Sequence, residues 1–358
     1  GNSASSTSLE LHCVCEEGQR DAVGKVLADH VSKGANWHCS VDIATPRAEA
    51  HGVTVFFDVD VPGATAEKVA EVRAHFPACF IACVGMTSSG SLVAPSAAAR
   101  QTLTDAGANM VTGSPDHLAT ALSRVEECYR SSGPFRCPLC RGGGPSMSED
   151  ALCTHLPLYH VDVPHRGAAG MECPVCRKTT REPLGVHVCN SHGPAGRGES
   201  KSEYDEIAPD LYAFALVVVQ RPSDGRFLVV QEFGGQGFWL PGGRVDAGES
   251  LQHAAIRETL EEAGVRVALD GVIRMEFAPH KRGDRSYVRM RIIFLAHPEP
   301  EDQVAKTVPD YESVGACWLS YEELQSVRLR GSEPLVFFKH VLKGKHVSPM
   351  SVLRDREG

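Results

Sequence analysis

Apolar and polar positions alternate along the chain in two long blocks separated by a segment of different character. Leu9–Cys15, Val53–Phe57 and Phe80–Val84 are apolar runs that read as buried strands, and Asn109–Val111 reads as a shorter one. Between them, Gly18–Lys33, Thr65–His75, Ala97–Ala106 and Pro115–Tyr129 read as helices. Strands alternating with helices predict a parallel sheet wrapped by helices over residues 9–130. Residues 1–8 are small and polar, a composition that predicts disorder. Residues 131–203 lack long periodic runs. Residues 204–344 are patterned again, with strands at Leu211–Gln220 and Arg226–Gln231 joined as a hairpin by the Pro222–Gly225 turn. Val265–Pro279 and Ser286–Ala296 read as strands around a basic loop, His280–Asp284. Val314–Leu319 reads as a strand, Tyr321–Val327 and Glu333–Leu342 as helices, and residues 345–358 as an irregular tail. The fold class is therefore a multidomain α/β protein.

Composition narrows this picture. The 358 residues suit two or three domains, and 42% hydrophobic content is ample for their cores. A formal charge of -9 argues against a general nucleic-acid coat, whose footprint would be basic. The thirteen cysteines come without a secretory signal, which reads as a reduced, cytoplasmic set with some metal ligands. No apolar run approaches the length that crosses a bilayer.

The densest chemistry lies in residues 241–265, PGGRVDAGESLQHAAIRETLEEAGV. Leu251, Ala254, Ala255 and Thr259 recur at helical spacing and give the segment one face to pack. Glu258, Glu261 and Glu262 crowd another face, where like charges repel unless a hard divalent cation accepts their oxygens. The glutamates alone fit a solvated acidic face equally well. The whole spacing decides more: Gly243, Glu249, Arg257-Glu258, Glu261-Glu262, Gly264 and Val265 match the fixed positions of the Nudix box, with Thr259 where the family more often has an aliphatic residue. The segment thus resembles a Nudix hydrolase, and the resemblance implies an α/β/α sandwich that cuts a diphosphate linked to another moiety. It implies Glu258, Glu261 and Glu262 as catalytic ligands of magnesium or manganese, with the Gly243 carbonyl as a further ligand. It also implies Arg257 paired with Glu249 as a loop brace. Bound metal would lower the pKa of the attacking water. Phe227–Glu232, Phe238–Arg244 and the run from Val288 to Pro298 also resemble the subgroup that hydrolyses 8-oxoguanine nucleoside diphosphates. Glu312 stands roughly where some relatives place an additional base, and also reads as a solvated loop carboxylate.

In residues 131–203, Cys137-x-x-Cys140 precedes His155 and His160, and Cys173-x-x-Cys176 precedes His187 and His192. The doubled pattern suits two tetrahedral, structural zinc sites. Leu152 and Leu184 sit three residues before the first histidine of each set, where a finger helix packs. The segment resembles tandem two-Cys two-His fingers. Their helices carry no Arg or Lys to read bases, so protein binding is favoured, while Arg177, Lys178 and Arg181 could hold a phosphate backbone, which leaves RNA as a partner open.

Residues 9–130 resemble a degenerate response-regulator receiver through Phe57–Gly63 and Ala106–Ala108. Asp58 would be the phosphoacceptor, with Glu16 and Glu17 as its acidic pair. Cys83 or Val84 replaces the family's hydroxyl residue, and Ser114 replaces its lysine. Gly1, with Ser5 following, fits the N-myristoylation signal, which implies transient membrane contact; a processing scar fits equally. Together these features predict a metal-dependent pyrophosphohydrolase of a nucleoside diphosphate-type substrate, with a protein partner at the finger or receiver-like modules. The alternatives are mRNA decapping and a silent Nudix-fold scaffold.

Overall fold

The computed structural model describes the chain except residues 1–8, 32–36, 44–51, 58–61, 88, 141–143, 164–169, 181, 194–210, 283–284 and 354–358. Gly1, Asp58 and Arg181 therefore lie outside the described residues. The chain divides into two compact units: residues 1–198 with 233–235 and 307–314, and residues 199–232, 236–306 and 315–358.

The first unit holds the expected parallel sheet. Its strands are β1 (Leu9–Cys15), β2 (Trp37–Ile43), β3 (Val53–Phe57), β4 (Phe80–Val84) and β5 (Met110–Thr112), in the spatial order 2-1-3-4-5. Every neighbouring pair is parallel, which is the doubly wound, flavodoxin-like order. The helices are α1 (Arg20–Val26), α2 (Pro62–His75), α3 (Ala97–Asp105) and α4 (Pro115–Arg130). Side chains of the strands alternate between two cores. Leu11, Val55, Phe57 and Ala82 pack with Val23, Leu118 and Leu122. Val14, Phe56, Ile81 and Cys83 pack with Val69, Val72 and Leu103.

Two expectations are corrected here. The single helix expected over Gly18–Lys33 is broken into a 3₁₀ turn, α1 and a π turn at Leu27–Val31. β2 was not expected, although Trp37, Cys39, Val41 and Ile43 alternate with polar residues as an edge strand should. Ser114, where the receiver resemblance calls for lysine, has a local task. It caps α4, accepting from the His117 N–H at 3.3 Å with Pro115 opening the helix.

The same unit contains α5 (Glu149–Tyr159) and α6 (Leu184–His192), the helices of the two Cys/His modules. Leu152, Leu156, Leu184 and Val188 meet in one small core with Met147 and Cys128. Leu152 and Leu184, the residues whose spacing predicts packing, are 0% and 2% exposed.

The second unit has two sheets. One has the order β10-β11-β6-β9, from β6 (Leu211–Val219), β9 (Gly242–Arg244), β10 (Val267–Arg282) and β11 (Arg285–Pro298). The other has the order β12-β7-β8, from β7 (Phe227–Glu232), β8 (Gly237–Trp239) and β12 (Gly315–Leu319). Helix α7 (Leu251–Ala263) packs Ala254 and Ala255 against Ala215 and Val217 of β6. Helices α8 (Tyr321–Leu324) and α9 (Glu333–Leu342) follow, and Phe338 of α9 stacks on Phe227 at 4.1 Å.

The expected β6–β7 hairpin is present only at its turn. Gln220 bridges Phe227, and then the strands part into different sheets. Both edges of β6 are already filled by β11 and β9. His280, Lys281 and Arg282 belong to β10 rather than to a loop, because the β10–β11 ladder continues to the Arg282–Arg285 pair.

Candidate active site

The loop-helix segment is anchored at both ends by the local chemistry its sequence provides. β9 pairs antiparallel with β6, setting Gly243 opposite Ala215 and Arg244 opposite Phe214. Ser250 caps α7 by accepting from the His253 N–H at 3.1 Å. Gly264 ends the helix at φ +69, the left-handed conformation that favours glycine. Its N–H donates to the Leu260 carbonyl at 2.9 Å. Thr259, the departure from the family pattern, is fully buried, and its hydroxyl donates to the Ala255 carbonyl at 2.7 Å. That bond satisfies the polar atom an aliphatic residue would lack.

Arg257 is the hub of the site. Its Nε and Nη2 grip Glu249 as a fork, at 2.8 and 2.9 Å. Its Nη1 donates to Glu258 Oε1 at 3.0 Å and to Glu261 Oε2 at 2.8 Å. Nη2 also reaches the Arg244 carbonyl at 3.2 Å, tying the helix to β9. The bond from Arg257 holds the Glu249 carboxyl below the usual carboxylate range, and the same bond raises Arg257 further. Glu262 Oε2 accepts from the Gly242 N–H at 2.8 Å. Glu258 is only 8% exposed. A Cβ on Gly243 would sit 2.5 Å from the Glu258 carboxylate, so any other residue here displaces that carboxylate.

Lys306 was not expected. Its Nζ donates to the Glu261 carbonyl at 2.6 Å, near the C-terminal end of α7, where a cation is favoured. It lies 45 positions from Glu261, too far for local patterning to show. Glu312 lies in the first unit's 307–314 segment, its N–H donating to Asp310 Oδ1 at 3.0 Å.

Glu258, Glu261 and Glu262 offer hard oxygen donors of the kind magnesium and manganese take. Their carboxylates do not converge as they stand, since Arg257 engages two of them and Gly242 the third. Among the described residues, three or more ligand atoms gather within 4.8 Å only in the two Cys/His sets.

Those sets are compact. Cys140 Sγ lies 3.1 Å from His155 Nε2 and 3.6 Å from His160 Nε2, and Cys137 Sγ lies 3.3 Å from His160 Nε2. Cys176 Sγ lies 3.4 Å from His187 Nε2. Zinc–sulfur bonds of about 2.3 Å and zinc–nitrogen bonds of about 2.0 Å put tetrahedral neighbours roughly 3.5 Å apart, so the sets fit zinc. Hydrogen bonding from Cys137, then from the two histidines, holds Cys140 well below the thiol range, as a thiolate ligand requires. In the second set, His187 Nδ1 faces Glu182 at 3.5 Å, and His192 Nε2 is buried without a hydrogen-bond partner.

Residues 211–337 match the NUDIX domain. Phosphatase NudJ of Escherichia coli (strain K12) is 37% identical over 120 residues, covering 32% of this chain and 72% of that protein. Phosphatase NudJ of Shigella flexneri gives the same figures. Among solved structures, a NUDIX hydrolase from Nitrosomonas europaea is 21% identical with a TM-score of 0.34, covering 41% of this chain and 98% of that one. The E. coli dihydroneopterin triphosphate pyrophosphohydrolase is 16% identical with a TM-score of 0.31, covering 37% and 95%. With its box assembled on β9 and α7, the chain belongs to the Nudix family and is a hydrolase of phosphorus anhydrides, a pyrophosphatase.

Proposed function

We propose that the second unit cleaves a nucleoside diphosphate-type substrate by metal-activated water and releases a monophosphate. Glu258, Glu261 and Glu262, with the Gly243 carbonyl, are the residues that would hold magnesium or manganese. The metal, when bound, supplies charge for the diphosphate oxygens and an acidified water. The observation that carries this reading is the Arg257 fork, which fixes Glu249 and presents Glu258 and Glu261 from one helix face. To hold a cation, Glu258 and Glu261 would have to share the oxygens that Arg257 Nη1 now engages. Sequence likeness adds an oxidised, 8-oxoguanine nucleoside diphosphate to the candidates of that class; capped RNA, and ligand binding without cleavage, are the competing readings.

The Cys/His sets are assigned as two structural zinc sites that brace residues 131–203 as a protein-binding module. The receiver-like residues 9–130 are assigned a partner-binding surface in the cytoplasm.

The test is phosphate release with magnesium across ordinary and 8-oxo nucleoside di- and triphosphates, ADP-ribose, an inositol pyrophosphate and capped RNA. Glu262→Gln keeps an acceptor for the Gly242 N–H while removing the charge. Turnover of one class by the parent, lost in this variant, is expected. A folded parent that turns over nothing would move the reading to a ligand-binding Nudix domain.

A further inference from the structure

We propose that Cys153 and Cys189 form a modification site at which a hydroperoxide closes a disulfide between α5 and α6. Each of these helices carries one cysteine. Cys153 lies two residues before His155, and Cys189 lies between His187 and His192. Neither belongs to either set of converging ligand atoms. Their own Sγ atoms lie 2.9 Å apart, and Cys189 Sγ also faces the Cys153 carbonyl at 3.5 Å.

The spacing separates two uses of a thiol pair. Two sulfurs on one zinc stand roughly 3.7 Å apart, given tetrahedral bonds of about 2.3 Å. A disulfide needs about 2.05 Å. At 2.9 Å the pair is too close to share a metal ion, and a movement of less than about 1 Å forms the bond. Other buried thiols of this unit meet oxygen instead: Cys79 Sγ lies 3.5 Å from the Thr54 hydroxyl, and Cys128 Sγ donates to the Ala151 carbonyl at 3.5 Å. At the end of α6 a Cβ on Gly193 would stand 3.0 Å from Cys153 Sγ, so the glycine leaves that sulfur room.

Exposure assigns the roles. Cys153 is half-buried, while Cys189 is only 4% exposed. A small peroxide therefore meets Cys153 first. The Cys153 sulfur attacks one peroxide oxygen, the O–O bond breaks, and a sulfenic acid and one water result. The Cys189 sulfur then attacks the sulfenic sulfur, the S–S bond forms, and the S–O bond breaks to release a second water. Two thiols and one hydrogen peroxide give one disulfide and two waters. The two electrons come from the thiols, and the two thiol protons leave in the waters.

The bond would join the helices of the two Cys/His modules beside their shared apolar core of Leu152, Leu156, Leu184 and Val188. It spans 36 positions of chain, and a cross-link of that span restricts the unfolded chain and favours the packed one. The oxidised module would then keep α5 on α6 without help from metal. The proposal rests on the zinc assignment in one respect. Zinc engages the thiolates of Cys137, Cys140, Cys173 and Cys176, which leaves Cys153 and Cys189 as the thiols of this segment open to oxidation.

The experiment treats the full zinc-loaded chain with hydrogen peroxide, measures its zinc, alkylates the remaining thiols in denaturant with chelator, and maps the peptides without reduction. The thiol count is expected to fall by two from thirteen, with one cross-linked peptide pair joining Cys153 to Cys189. Dithiothreitol should restore both thiols, and zinc should stay bound. After zinc is chelated, amides of α5 and α6 should exchange about tenfold more slowly in the oxidised chain than in the reduced one. Cys189→Ser removes the resolving thiol, so Cys153 should stop at a sulfenic acid that dimedone traps. Cys153→Ser should leave Cys189 reduced. Neither variant is needed for the first readout, so a misfolded variant does not shield the proposal. It is overturned if the pair stays reduced while Cys137, Cys140, Cys173 or Cys176 is oxidised and zinc is released. It is equally overturned if Cys153 is oxidised but links to another cysteine in the parent, or if the link forms and leaves exchange in α5 and α6 unchanged. A chain that holds no zinc yet closes the Cys153–Cys189 link sinks the metal assignment and leaves this site standing.

Discussion

Arg257 shows how one side chain organises several carboxylates. Lysine has no fork, so Arg257→Lys can keep the charge but not the two-point grip on Glu249 and the contact to Glu258 and Glu261 together. Loss of one charge-assisted hydrogen bond costs about 2 kcal/mol, or roughly 30-fold in rate where it acts in the transition state. We expect Arg257→Lys to lower kcat/KM by about that factor, with the metal dependence of kcat moved more than KM. A variant with parental kinetics would remove the hub from the account. Gly243→Ala is a harsher test, because its methyl lands 2.5 Å from the Glu258 carboxylate and the strand pairing with Ala215 limits retreat. Overpacking of this kind costs about 1–3 kcal/mol. A lowered Tm together with lost hydrolysis is expected; a fully active, equally stable protein would show that the carboxylate can turn aside.

At the scale of elements, the Glu249–Arg257 tie links the loop after β9 to α7, and it has a pH signature. Arg257 holds the Glu249 pKa below its unfolded value. A group depressed on folding contributes stability that is fully present above the unfolded value and lost as pH falls through the folded one. Unfolding measured from neutral pH to below the ordinary carboxylate pKa, about 4.3, should therefore show an acid-side loss that Glu249→Gln flattens. An unchanged slope would mean that the tie is not closed in solution. The element boundaries that sequence reveals are those set by neighbours a few residues away. β1, β3, β4 and α9 begin and end where their apolar runs do. The box helix is legible because Ser250 and Gly264 punctuate it. β2 escaped because its alternating edge pattern is weak beside the buried runs. The parting of β6 and β7 was invisible because partner choice depends on strands far along the chain, β11 and β12. The same limit hid Lys306 and the stacking of Arg244 over Tyr212 and of Arg289 over Phe214. The box spacing records which residues share a helix face, while these contacts are written across strand register.

At the scale of the molecule, the chain carries two donor chemistries in two separate units. Thiolates and imidazoles gather at Cys137, Cys140, His155 and His160 and again at Cys173, Cys176, His187 and His192. Carboxylates gather on α7. Soft ligands select zinc and hard oxygens select magnesium or manganese, so the two kinds of site should empty independently. Two zinc ions per chain are expected by elemental analysis, falling to one in His155→Ala. The core under α5 and α6 joins Leu152, Leu156, Leu184 and Val188 to Cys137 and Cys173, so metal held at those cysteines would brace it, while Leu158 and Tyr159 tie α5 to the core of the parallel sheet. A zinc-selective chelator applied in excess magnesium should therefore increase amide exchange in residues 131–193 while hydrolysis of a nucleoside diphosphate continues. If hydrolysis stops at the chelator concentration that removes zinc, the metal modules support the catalytic unit, and the division of labour argued from donor chemistry fails. If exchange in α5 and α6 does not change, those helices stand on their apolar core alone and the zinc assignment loses its structural purpose.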